Sequence, residues 1–176
     1  MVPQIHRLSD GRAFVLRPIG PDDKARLSAS HARLSEESVR WRFLAAKPAL
    51  SRADLRYLTE VDGVDHIAIV AVAADDPDRL VAVARCIRLA QRPEVAEWAI
   101  VVGDELQGLG LGGRLARTLA EEAAQVGIRS FTATLFGENQ PIQGLMRSFL
   151  GELHGGWKGD GVVELAGELG VDRLAA

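Results

Sequence analysis

The chain has 176 residues, 47% hydrophobic and 26% charged, a balance typical of one globular domain spanning residues 1–176. A net charge of −3 gives no electrostatic reason to expect nucleic acid or an anionic membrane as main partner. The single cysteine excludes an internal disulfide and a cysteine metal cluster. The opening MVPQIHRLSDGR lacks a signal peptide's apolar core, and no apolar run approaches a membrane span, so we expect a cytoplasmic protein.

The first half of the chain predicts one strand, three helical stretches and then three strands. Residues 12–19 have strand composition, and Pro21 with two aspartates suits the first turn of a helix over residues 21–34. Ser35 and Ser51 each precede a further helical stretch. Apolar runs joined by short turn-rich links then predict an antiparallel meander over residues 66–73, 80–90 and 95–102.

The second half predicts a helix, a strand, a helix and a weak hairpin. Leu111, Leu115 and Leu119 recur at every fourth position, which predicts an amphipathic helix over residues 110–125. A strand follows over residues 129–136, and Asn139 with Pro141 predicts a helix that ends at Phe149. The glycine-rich residues 151–168 could form a final hairpin. The order indicates a mixed α/β (α+β) sheet with one β-helix-β unit in its second half.

The stretch QGLGLGG, residues 107–113, allows two phosphate-binding interpretations and a third in which its glycines only turn the chain. A glycine-rich turn that enters a helix directs backbone N–H groups and the positive helix end at an anion. One interpretation is the dinucleotide fingerprint G-x-G-x-x-G, with Glu138 as the ribose-binding acid. Three features oppose this interpretation. Five residues separate the strand from the glycines, which should follow it almost at once, and the preceding strands form a meander instead of alternating with helices. The stretch after Gly113 is also too short for the rest of a doubly wound sheet.

The other interpretation carries a family resemblance. Residues 102–115 read V-x-D-x-x-Q-G-x-G-x-G-x-x-L and, with the following helix, strand and Asn139, resemble the acetyl-CoA site of the GNAT superfamily of N-acetyltransferases. LRPIGPDDKARL resembles the usual first strand and helix of that superfamily. LSEESVRWRF and VAEWAIVVGDELQGLGLGG resemble segments of bacterial protein-lysine acetyltransferase domains. The resemblance implies a mainly antiparallel central sheet flanked by helices, with one β-α-β acetyl-CoA-binding unit.

The resemblance also implies acetyl-CoA as co-substrate, no metal, and specific roles for the donor-binding residues. The backbone of Ile100, Val101 and Val102 would bind the pantetheine arm and the thioester carbonyl. The Asn139 side chain would contact the same arm between splayed strands. Backbone amides would hold the diphosphate along the loop: Gln107, Gly108, Leu109, Gly110, Leu111, Gly112 and Gly113.

Glu97 is the candidate general base, because the acceptor amine must lose a proton before it attacks a thioester. It lies in the otherwise apolar VAEWAIVV, where alternation places it on one sheet face with Ala99 and Val101. We expect partial desolvation of this carboxylate there. In the resembling subgroup an acid at the matching position acts as the base. The alternative is a structural glutamate paired with Arg85.

The remaining candidates have plainer interpretations. Cys86 is expected in the core, and the four histidines show no metal-ligand spacing. Arg85 and Arg88 are expected to be solvated sheet charges rather than acceptor-binding groups. Two alternatives stay open for the second helix. Trp41, Arg42 and Phe43 line the acceptor site, or Trp41 and Leu44 form one apolar helical face.

The expected activity is transfer of an acetyl group to a primary amine, either a small molecule or a protein lysine. Phe149 stands at or beside the position where many family members have a tyrosine as general acid, and this departure leaves the acid unassigned. It favours, as alternative, a catalytically weak CoA-binding module for sensing or assembly. A third hypothesis is an NAD-dependent oxidoreductase. The sequence does not define the acceptor or the oligomeric state.

Overall fold

The fold is a mixed sheet with helices on both faces, in a computed structural model that describes residues 3–170. The eight strands are β1 (Gln4–Arg7), β2 (Ala13–Pro18), β3 (His66–Ala73), β4 (Leu80–Leu89), β5 (Arg92–Val102), β6 (Ser130–Phe136), β7 (His154–Gly159) and β8 (Val162–Glu168). The five α-helices are α1 (Lys24–His31), α2 (Glu36–Phe43), α3 (Arg52–Thr59), α4 (Leu111–Gln125) and α5 (Gln140–Phe149).

The sheet has the order β1-β2-β3-β4-β5-β6-β8-β7. Neighbouring strands pair antiparallel except β5 and β6, which pair parallel. A parallel pair needs a crossover connection, and α4 supplies it. The predicted meander, the single β-α-β unit and the final hairpin are all confirmed.

The two sheet faces bury separate apolar clusters. On one face α4 and α5 contribute Leu115, Leu119 and Phe149, each at most 1% exposed. On the other, α1 and α3 contribute Leu27 and Leu58. Because side chains alternate along a strand, β5 sends Trp98 to the first face and Val101 to the second, as predicted.

Local details differ from the sequence prediction at several places. The helix predicted over residues 21–34 begins as a 3₁₀ turn at Pro21–Asp23 and ends at His31. Strand β1 was not predicted, because four residues that alternate weakly show their strand character only when β2 pairs with them. None of the helices in residues 3–170 has the length and apolar character needed to cross a bilayer.

Candidate active site

A cleft opens where β5 and β6 separate. The two strands pair over only three positions, the last being Glu97 with Thr132, although both continue well beyond it. Beyond this point lies a cavity of about 360 Å³, lined on one side by Trp98 to Val102 and on the other by Ala133 to Leu135. Its size falls within the range of small-molecule sites, about 300–1,000 Å³.

The register of β5 determines which backbone groups face the cleft. Gly103 N donates to Val81 O on β4 at 2.8 Å. Because hydrogen-bonding direction alternates along an antiparallel strand, Val101 also bonds to β4, and Ile100 directs its N–H and C=O into the cleft. The main chain of Val101 therefore pairs with β4 in the free protein, and the residue also lines the cavity.

The glycine loop presents a row of unsatisfied backbone donors. Within the described residues, no backbone carbonyl accepts from the N–H groups of residues 108–113. Gly108 and Gly110 adopt left-handed φ values of 75° and 86°, which let the chain turn sharply into α4. The N–H of Gln107 donates to Asp104 O at 3.3 Å in the free protein. The loop thus offers six N–H groups, from Gly108 to Gly113, at a positive helix end.

Asp104 ties this loop to helix α2. Its carboxylate accepts from Ser35 N at 2.8 Å, Ser35 Oγ at 2.9 Å and Ser38 Oγ at 2.6 Å. Gln107 Nε2 lies 3.2 Å from both Ser38 Oγ and Val102 O and 3.4 Å from Asp104 Oδ1. Burial raises the pKa of Asp104, but the hydrogen bonds from Ser38 and Ser35 outweigh it and lower that pKa overall. Ser38 lies on α2 and hydrogen-bonds to both Asp104 and Gln107, so it links this helix to the loop. Sequence analysis did not single it out.

Replacing Asp104 with alanine should loosen both the loop and the start of α2. We expect a loss of about 1–3 kcal/mol in the free energy of unfolding, because several charge-assisted hydrogen bonds disappear at a solvent-exposed carboxylate. Urea unfolding measures the change. Glu105→Ala removes a neighbouring exposed carboxylate that, within residues 3–170, pairs with Arg79 alone, and it should cost less. Equal losses in both variants would contradict the linking role.

Asn139 lies at the far wall of the cleft and is 6% exposed. Its Oδ1 accepts from Ile142 N at 3.2 Å, so it caps α5 as predicted. Leu111 and Leu109 contribute backbone N–H groups only, since their side chains pack in or against the core. Glu138, the acid in the dinucleotide interpretation, instead pairs with Arg40 at 3.0 Å.

Glu97 marks the narrow end of the cleft, on the face covered by α1 and α3. Its side chain is exposed, so the expected desolvation does not exist in the free protein. Helix α2 stands beside it: Trp41 and Arg42 line the cavity, whereas Phe43 packs edge-on against His31 with ring centroids 5.6 Å apart. Of the three residues expected at the acceptor site, Trp41 and Arg42 therefore lie at the cavity and Phe43 does not.

Two arginines of β4 differ from each other. Arg88 Nε pairs with the exposed carboxylate of Asp65 at 2.7 Å, but the Arg88 side chain is only 14% exposed, so it is not the solvated charge that was expected. Arg85, also expected to be solvated, is instead 3% exposed because α3 covers it. Its guanidinium donates to Leu58 O at 3.1 and 3.2 Å and to His66 Nε2 at 2.9 Å.

His66 should make stability depend on pH. Burial, then the charge of Arg85, lowers the pKa of His66 to about 4, against an unfolded value near 6.5. The unfolded chain therefore binds more protons between these values, and stability falls as pH drops from about 6.5 to about 4. Urea unfolding at pH 7.5 and pH 5 measures the loss in the free energy of unfolding. This loss should be about 1 kcal/mol smaller in His66→Gln than in the wild type. A fall in His66→Gln equal to that in the wild type would contradict the assignment.

The remaining candidates take no part in the cleft. Cys86 is fully buried in the core, and burial raises the pKa of its thiol to about 12. Phe149 is 1% exposed and packs against Trp98, with ring centroids 5.4 Å apart. In the described part of the chain, no three His, Cys, Asp or Glu side chains form a group that could hold a metal.

Fold and cleft together define an acyltransferase-type sheet with a splayed parallel pair and a glycine loop at its mouth. Residues 34–151, more than half of the sequence, match the sequence model of the acetyltransferase (GNAT) family. The chain therefore belongs to the GNAT family of acetyltransferases.

Three relatives carry the comparison further. The chain is 34% identical over 137 residues to acetyltransferase Pat of Mycolicibacterium smegmatis, covering 77% of this chain and 40% of that protein. It is 30% identical over 142 residues to acetyltransferase PA5475 of Pseudomonas aeruginosa, covering 80% of this chain and 76% of that one. The solved GNAT domain of S. lividans PAT superposes with a TM-score of 0.84 at 30% identity, covering 95% and 97%. The chain thus spans less than half of the M. smegmatis protein's length.

Proposed function

We propose that this chain is an acetyl-CoA-dependent N-acetyltransferase that acts on a primary amine, with Glu97 as the general base. The observation that carries the proposal is the continuous path from the unsatisfied N–H groups of residues 108–113 to the narrow end of the cleft beside Glu97. The diphosphate would lie at the glycine loop. The pantetheine arm would hydrogen-bond to the backbone of β5 at Ile100. The thioester would lie where β5 and β6 begin to pair.

The acceptor amine must be neutral to attack. A lysine-type amine with a pKa of about 10.4 is neutral in only about one molecule in 2,500 at pH 7, a handicap of about 4.6 kcal/mol. Glu97 takes the proton, the nitrogen bonds to the carbonyl carbon, and the carbon–sulfur bond breaks. Backbone N–H groups of β5 stabilise the oxyanion that forms in between.

Coenzyme A leaves as a thiolate and takes a proton from water. Phe149 has no proton to give, and the tyrosine of α3, Tyr57, lies with its ring centroid 5.2 Å from that of His66. A thiolate is a stable leaving group, so its departure requires no acid from the protein.

The missing tyrosine favours one competing function, a CoA-binding module with little catalysis. The dinucleotide alternative has no such support, because a doubly wound sheet needs several parallel strands and this sheet has one parallel pair. The two surviving functions share donor binding and differ in turnover.

Two measurements test the proposal. Saturating acetyl-CoA at about 100 times its dissociation constant should stabilise the protein by about 2.7 kcal/mol, or about 5–10 °C in Tm, whereas NAD should not. Thiol release should then rise with amines from a panel of small molecules and lysine peptides. Stabilisation without amine-dependent thiol release would favour the binding module, and no stabilisation would refute both.

A further inference from the structure

Arg42 presents unused hydrogen-bond donors to the cleft. Its side chain is half-buried and lines the cavity. Among residues 3–170, no carboxylate lies within 4.0 Å of its guanidinium, and no residue accepts a hydrogen bond from it. Its Cζ lies over the ring of Phe43, 5.0 Å from the ring centroid. Because Arg42 lines the open cavity, its guanidinium donors are available to an acceptor from outside the chain.

A second positive charge, that of Arg85, acts on the guanidinium of Arg42. Arg85 is buried, and its partners among the described residues are neutral. They are Leu58 O and His66 Nε2, since His66 must be neutral to accept from a guanidinium. Burial, and next the charge of Arg42, lowers the pKa of Arg85, so the two arginines interact. Both stay charged at neutral pH. Glu97 is the carboxylate that acts on Arg42, and it supplies one negative charge against two positive ones.

We propose that the acceptor carries a carboxylate close to its amine, and that Arg42 holds this carboxylate while Glu97 faces the amine. Arg85 supports the site by adding positive charge from beneath. The proposal rests on the acetyltransferase function proposed above. A guanidinium suits the role, because its planar fork of donors matches a carboxylate with two parallel hydrogen bonds. The carboxylate could belong to a small amino acid or to a side chain beside a protein lysine.

Matched acceptor pairs test the proposal. One pair is δ-aminovalerate and its neutral amide. The other is a blocked pentapeptide whose lysine lies between two glutamates, with a twin carrying two glutamines. In the wild type, kcat/KM should favour the carboxylate member of at least one pair by about 10- to 100-fold, the range for hydrogen bonds to a charged group. The pair that discriminates identifies the source of the carboxylate.

Three variants assign the preference to Arg42. In Arg42→Gln the ratio of kcat/KM between the two members of the pair should fall to about threefold or less. Arg42→Lys should retain part of it, since the charge remains without the fork. Arg147→Gln removes an exposed arginine from α5, on the opposite sheet face, and should retain all of it.

Three results would overturn the proposal. The first is equal kcat/KM for both members of each pair in the wild type. The second is an equal loss of kcat/KM for both members in Arg42→Gln, and the third is a raised KM for acetyl-CoA in that variant, which would assign Arg42 to donor binding. Absence of thiol release with every amine would instead refute the proposed enzyme. In that event a thermal shift with δ-aminovalerate or the glutamate peptide, in the presence of CoA, still decides: a shift in the wild type absent from Arg42→Gln supports the carboxylate site, and no shift rejects it.

Discussion

Replacing Glu97 with glutamine is expected to lower kcat by about 100- to 10,000-fold, the range for loss of a general base. Glutamine keeps the size and hydrogen-bonding reach of the side chain but cannot take a proton. Glu97 is exposed at the end of the β5–β6 pairing, so the fold should not depend on it. The affinity of the variant for CoA should stay near that of the wild type, because Glu97 is not among the residues that line the cavity.

The pH dependence of the Glu97→Gln variant makes the test specific. Without the base, the rate should follow the neutral fraction of the amine, which rises about tenfold per pH unit below its pKa of about 10.4. The defect should therefore shrink between pH 7 and pH 9 in a manner that a folding or binding defect would not reproduce. Glu94→Gln, an exposed glutamate near the start of the same strand, is the matched control and should retain full activity. Similar losses at both positions would remove Glu97 from the chemistry.

Replacing Gly113 with aspartate should have opposite effects on stability and donor binding. A Cβ at this position would lie 3.7 Å from Arg117 Nη2 and 3.9 Å from Leu145 Cδ1, which are ordinary contacts. A carboxylate in the first turn of α4 suits the positive helix end, and replacing glycine adds helix propensity, so the free protein should gain about 0.5–1.5 kcal/mol. The same charge should weaken CoA binding by about 30- to 150-fold, or 2–3 kcal/mol, through repulsion of the diphosphate.

The neutral variant Gly113→Asn separates shape from charge. It fills the same space and should bind CoA within a few fold of wild type. Isothermal titration with CoA measures the affinities, and thermal unfolding without ligand measures the stability. If the aspartate and asparagine variants bind CoA equally well, the diphosphate does not lie at this end of α4.

The glycine loop and the helix after it were predictable from sequence because their signals are local. The spacing of Leu111, Leu115 and Leu119 and the glycines before them specify a turn into an amphipathic helix without reference to distant residues. Side-chain alternation along β5 likewise gave the correct face for Glu97. The backbone partners of Gln107 and Val101, namely Asp104 O and strand β4, could not be predicted in this way, because they depend on the turn and register actually adopted.

The sequence by itself determined the order of helices and strands, the single β-α-β unit and the family, since short-range periodicity and one compact motif carry all three. Only the tertiary structure decided how far β5 and β6 pair, and hence where the cleft opens. It also buried Arg85 beneath α3 and left Glu97 exposed, although both lie in mainly apolar strands. Exposure depends on which helix covers a residue, and this is set by contacts between segments far apart in the chain. The charge around the acceptor site therefore became visible only once the chain was folded.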